Sequence, residues 1–113
     1  MTTAELLRRL TATCDQSVLV ESLVVDDEDE DLLSARIFLK DGSFLNTFYN
    51  LTTSKVAFAW IHNGKRIYGK DNTKIGWHVH PLENPAGHAP CNATDFETFL
   101  REIEKIKQPT QGN

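Results

Sequence analysis

The sequence predicts an α+β fold: an antiparallel sheet of about five strands, a short N-terminal helix, and an amphipathic C-terminal helix packed on one sheet face. Three observations carry this. Asp41-Gly42 and Asn63-Gly64 each separate two alternating apolar–polar runs, the strongest short-range hairpin signal. Phe96, Phe99, Leu100, Ile103 and Ile106 recur at helical spacing near the C-terminus. Asp71 to Cys91 is too rich in turn residues for regular structure, with Pro81, Pro85 and Pro90 among them.

At 113 residues, 40% hydrophobic and 25% charged, the chain has the size and composition of one folded domain, spanning 1–113. Within it the expected parts are a helix over 1–14, the sheet over 17–71, a His/Pro-rich loop over 71–92 and a helix over 94–108. No apolar run approaches the roughly 20 residues of a membrane span. Residues 1–12 lack the apolar block of a signal peptide, so a cytoplasmic protein with no membrane partner is expected. There Cys14 and Cys91 are expected as free thiols. The net charge of −4 excludes a simple nucleic-acid sponge. It hides an asymmetry: residues 26–31 are all acidic, whereas residues 55–74 carry Lys55, Lys65, Arg66, Lys70 and Lys74 against Asp71 alone. The acidic run reads as a solvated turn or as a docking surface for a basic partner.

Thr2 or Thr3 can cap a helix from Ala4 to near Cys14, with Leu6, Leu7 and Leu10 on one side. Ser17 to Val25 is rich in β-branched residues and reads as a strand closed by the acidic run. Leu33 to Lys40 alternates, with Leu33, Ala35, Ile37 and Leu39 on one face. A two-residue loop at Asp41-Gly42 pairs Leu39 with Phe44, Ile37 with Asn46 and Ala35 with Phe48. That register leaves Arg36, Lys40, Thr47 and Tyr49 on the other face. Val56 to His62 follows, and the Asn63-Gly64 turn pairs Trp60 with Ile67 and Phe58 with Gly69. If both hairpins join one sheet, Arg36, Lys40, Tyr49, Arg66, Tyr68 and Lys70 share an outer face as a shallow basic platform. Thr94-Asp95-Phe96-Glu97 reads as a capping box for the last helix, which Pro109 ends before a frayed tail.

Candidate chemistry concentrates in the loop. His78, His80 and His88 lie there, with Asp71 just upstream. Two imidazoles can serve as base and acid in an attack by a ribose 2′-hydroxyl on its phosphate, with Asp71 orienting one ring. Arg66, Tyr68, Lys70, Lys74 and Trp77 are the candidate substrate-binding residues, supplying charge and an aromatic surface. This reading needs no cofactor. The alternative is a non-enzymatic binding module: His78, His80, His88 and Cys91 form a His-x-His…His-x-x-Cys set of zinc-type ligands, or the loop binds a partner. Trp77 is expected to be largely buried, pinning the loop with Ile75 and Val79 as the other apolar anchors. Spacing fixes neither a substrate nor an oligomeric state.

The order of features resembles the TumE-type toxins of bacterial and archaeal toxin–antitoxin pairs. The residues that carry the resemblance are Asp41-Gly42, Ile67-Tyr68, Asp71-Asn72, His78, His80-Pro81 and His88, over roughly residues 32–106. The resemblance implies a small cytoplasmic toxin that an antitoxin protein neutralises and that acts on RNA, with a ribonuclease-like activity as the expected chemistry.

Overall fold

The computed structural model describes residues 1–108 of the chain. The stop at Pro109 and the tail beyond it lie outside the described residues. The elements run α1 (Thr3–Asp15), β1 (Val20–Glu28), β2 (Leu32–Leu39), β3 (Phe44–Asn50), β4 (Lys55–His62), β5 (Lys65–Asp71), β6 (His78–His80), β7 (Ala89–Pro90) and α2 (Phe96–Lys107). All strands form one antiparallel sheet in sequence order, β1 to β7. The α+β class and the two flanking helices are as expected, but the sheet has seven strands. The extra two come from the loop, where His78–His80 pairs with β5 and Ala89–Pro90 pairs with β6. Pro90 is tolerated because β7 is the sheet edge. No helix among the described residues is long and apolar enough to cross a membrane.

Both helices pack on one face. Leu10 and Cys14 of α1 and Phe96, Phe99, Leu100 and Ile103 of α2 bury against Leu33, Ile37, Leu39, Leu45, Tyr49, Phe58 and Trp60. Thr47 is also buried there, and its hydroxyl donates to Ala35 O at 3.1 Å, so no polar atom is stranded. Thr2 caps α1 as expected, accepting from Glu5 N. Asp95, not Thr94, caps α2, accepting from Thr98 N at 2.8 Å.

The first hairpin departs from its expected register by one residue. Leu39 N donates to Ser43 O at 2.9 Å, so Lys40, Asp41 and Gly42 all belong to the loop. Gly42 takes φ +90, the left-handed closing position of a three-residue loop. Strand β2 therefore pairs Ile37 with Leu45 and Ala35 with Thr47. Because side chains alternate, the slip reverses β3: Leu45, Thr47 and Tyr49 go inward, and Phe44, Asn46 and Phe48 go outward.

The second turn is as expected, with Asn63 at φ 52 and Gly64 at φ 75. A bulge follows between Trp60 and Ile61, so Trp60 faces Tyr68 and Phe58 faces Lys70. Tyr68 and Lys70 thereby turn to the helix side. Tyr68 Oη donates to Glu102 Oε1 at 2.8 Å and Lys70 Nζ to Glu102 Oε2 at 2.6 Å, both onto α2. Burial and the Glu102 carboxylate raise the Tyr68 phenol above its ordinary value. The basic platform expected from sequence is thus not one surface: of its members, Tyr49, Tyr68 and Lys70 face the helices.

The acidic run is partly structural. Strand β1 continues through it to Glu28, beyond the expected end at Val25. Asp26 pairs with Arg36 at 2.8 Å. Asp29 Oδ1 accepts from the N–H groups of Asp31 and Leu32, which closes the β1–β2 turn and lowers the Asp29 carboxyl's pKa.

Candidate active site

Strand β6 exists because the chain past Asp71 is drawn back alongside β5. Asn72 anchors that return: its Oδ1 accepts from Val56 N at 2.7 Å and its Nδ2 donates to Ser54 O at 3.0 Å. Lys55 Nζ donates to the carbonyls of Asn72 and Lys74 at 3.1 and 3.2 Å. Trp77 is half-buried, its ring stacked on Phe58 with centroids 6.4 Å apart, so it holds the start of β6 from the helix side. Ile75, expected as a second anchor, is 90% exposed at the loop tip.

Register then sets the face of each loop residue. Asp71 faces His78, Lys70 faces Val79, and Gly69 faces His80. Val79 shares the helix side with Lys70, while Asp71, His78 and His80 share the open side. His88 comes to the same place from the β6–β7 connection, its ring centroid 5.3 Å from His78 and 6.3 Å from His80. The four residues picked out as catalytic candidates are thus brought together.

Hydrogen bonds orient each ring. His80 Nε2 lies 2.9 Å from Asp71 Oδ2 and its Nδ1 3.1 Å from Gly87 O. The ring is thus held at both nitrogens, between the Asp71 carboxylate and the Gly87 carbonyl. His78 Nδ1 lies 3.1 Å from Gly76 O, a bond the ring must donate, so in the neutral ring Nε2 is the nitrogen that carries the lone pair. Asp71 Oδ1 accepts from the Thr73 hydroxyl at 2.8 Å and from Thr73 N at 3.1 Å. Desolvation opposes ionisation of Asp71, yet the Thr73 and His80 hydrogen bonds outweigh it and hold the carboxyl below its ordinary value.

Arg66 is the substrate-binding candidate placed beside this cluster. It lies on the open face opposite Ile61. Its stem crosses Gly69, where an added Cβ would stand 3.3 Å from Arg66 Cδ and 2.9 Å from Phe58 O. The missing side chain at Gly69 therefore leaves room for the Arg66 stem on the strand opposite His80. Arg66 has no ion-pair partner among the described residues. The other candidates scatter: Lys74 is exposed in the β5–β6 loop, and Tyr68, Lys70 and Trp77 are on the helix side.

Cys91 follows Pro90, which faces His78, so alternation turns the thiol away from the histidines. Burial raises its pKa, against the nearby Lys70. Cys14 and Cys91 are both free thiols. Among the described residues no group of three or more His, Cys, Asp or Glu side chains is arranged to hold a metal ion.

Sequence reasoning named Asn72 only as part of the Asp71-Asn72 motif, without its anchoring role, and missed Thr73 and the carbonyls of Gly76 and Gly87. Asp71-Asn72-Thr73 carried a readable signal, since such a run closes its own turn through the first side chain. The carbonyls leave no trace in a sequence.

An open antiparallel sheet face that carries three imidazoles and a buttressed carboxylate defines a small α+β protein with a candidate acid–base site. The family model described as Toxin TumE matches residues 4–107, and the chain belongs to the TumE toxin family. No curated protein and no solved structure matches it.

Proposed function

We propose that the protein is a cytoplasmic toxin that cleaves RNA on the open face of its sheet and is neutralised by an antitoxin protein. The observation that carries this reading is the grouping of His78, His80 and His88 on one face, with His78 oriented through its Nδ1 and His80 held by Asp71. Family membership supports the toxin; the ring geometry supports the reaction.

His78 Nε2 takes the proton of a ribose 2′-hydroxyl, and the 2′-oxygen attacks the adjacent phosphorus. The bond from phosphorus to the 5′-oxygen breaks. His88 returns a proton to that leaving oxygen, giving a 2′,3′-cyclic phosphate and a free 5′-hydroxyl. In this scheme His80, fixed by Asp71, faces the phosphate together with Arg66 and donates to the oxygens on which charge builds. Each proton-transfer group contributes about 10²–10⁴-fold by the usual standard of such catalysts.

Induced expression in a bacterial host tests it. The wild type should arrest growth and fragment cellular RNA, while His78→Gln, confirmed folded by its melt, should do neither. Growth arrest by His78→Gln equal to the wild type would overturn the proposal.

A further inference from the structure

The outer face of the sheet holds more than the histidines. Across the strands, one row runs Ser34, Phe48, Ala57, Asp71, His78, and the next runs Arg36, Asn46, Ala59, Gly69, His80. A third runs Phe38, Phe44, Ile61, Arg66. Neither helix covers these rows. The open face of a one-sided antiparallel sheet is ordinarily polar. Here Phe38, Phe44 and Phe48 stand on it, each partly buried, and none belongs to the core cluster. The Phe38 and Phe44 rings lie 5.5 Å apart, and the Arg36 guanidinium sits 5.5 Å over Phe38. Between this aromatic ridge and the histidines the surface drops to Ala57 and Ala59, a trough floored by small residues and bounded by the Arg66 stem over Gly69.

We propose that these phenylalanines are a stacking platform for the unpaired bases of single-stranded RNA, which crosses the trough to present its backbone to the histidines. The proposal rests on the reading that the histidine cluster cuts RNA, and adds the form of the substrate. Continuity carries it: Phe48 and His78 lie in one row, three strands apart, roughly 14 Å at ~4.8 Å per strand. Of the acids on the face, Asp26 and Asp71 are engaged by Arg36 and His80, and Asp27, opposite Ser34 at the β1 end of the first row, has no ion-pair partner among the described residues. Arg66 has no acidic partner among the described residues and stands between ridge and cluster. Flat aromatic faces flanked by arginines take exposed bases of any identity. A duplex keeps its bases stacked on each other and offers none to such a ridge.

Fluorescence anisotropy with a short labelled 2′-O-methyl RNA strand, which the proposed reaction cannot cut, reads the platform apart from the chemistry. The strand should bind the wild type, and the same strand annealed to its complement should bind more weakly. Phe48→Leu and Phe44→Leu should each weaken strand binding roughly tenfold, with melts near the wild type's, and Phe48→Tyr should retain it. RNA cleavage is assayed in parallel. A wild type that cuts single-stranded RNA while both leucine variants bind the strand normally overturns the platform and leaves the histidine reading intact. A wild type that binds the strand through the phenylalanines but cuts no RNA keeps the platform and removes the reaction. Equal affinity for strand and duplex overturns the platform. So does a wild-type dimer that Phe48→Leu dissociates without change in strand binding, which would make the face a self-interface.

Discussion

His80 Nε2 and Asp71 Oδ2 lie 2.9 Å apart, although in the ladder His80 is opposite Gly69 and Asp71 is opposite His78. The contact is diagonal across the β5–β6 ladder. Asp71 is thereby tied to β6 by both backbone pairing and side chain.

That tie makes acid sensitivity a readout. The Asp71 carboxyl lies below its ordinary value in the folded protein. Burial opposes the ionisation of Asp41, but its hydrogen bonds to Lys107 and Ser43 bring it down to about 2. A depressed carboxyl contributes stability that is full above the unfolded value, ~3.9, and is lost as pH falls through the folded value. The gap in melting temperature between wild type and Asp71→Asn or Asp41→Asn should be widest near neutrality. It should narrow below pH ~4, with the Asp41 gap closing near pH 2. A gap that stays constant down to pH 2 would rule out this role for both carboxylates.

The register of β3 is testable by truncation. Leu45 is 0% exposed and packs in the core, whereas Phe44 stands on the open face. Leu45→Ala should cost about 2–5 kcal/mol in urea unfolding, and Phe44→Ala roughly 1 kcal/mol. The reverse order would restore the two-residue hairpin register that the sequence alone suggests.

That slip shows where sequence reading stops. Asp41-Gly42 announces a hairpin without saying whether the loop has two or three residues, and one residue exchanges Phe48 for Tyr49 on the core face. The bulge after Asn63-Gly64 works the same way, sending Tyr68 and Lys70 to Glu102. Two such local events divided the expected basic platform between the sheet's faces. The clustering of Asp71, His78, His80 and His88 was legible because alternation puts His78 and His80 on one side in any register. The helices were legible because Thr2 and the apolar stripes act within a turn or two of themselves, although the cap of α2 falls on Asp95 and not on Thr94. The short β6 was hidden because its pairing depends on Asn72 gripping Ser54 and Val56, a long-range contact.

Trp77 links the helix-side core to the site. Trp77→Ala should cost roughly 1.5–2.5 kcal/mol, about half of what a fully buried ring costs, because the indole is half-buried on Phe58. RNA cleavage should fall further than stability, since β6 carries both His78 and His80. A melt unchanged by the substitution would show that Trp77 does not anchor the strand.

Zinc analysis addresses the alternative use of the loop. His80 spends both nitrogens on Asp71 and Gly87, and Cys91 turns to the other side of the sheet. Protein purified without a histidine tag should carry no stoichiometric zinc, and a chelator should leave its melt unchanged. One zinc per chain, with unfolding on chelation, would favour the structural zinc clip instead.

The most direct test of RNA cleavage by the histidine face is the fate of a single-stranded RNA carrying one 2′-deoxy nucleotide at its cleavage site. The wild type should cut the all-ribose strand, leaving a 2′,3′-cyclic phosphate and a 5′-hydroxyl. It should leave the deoxy site intact, and folded His78→Gln should lose about 10²-fold or more in single-turnover rate. Cleavage at the deoxy site at the ribose rate, or full activity of His78→Gln, would contradict the account.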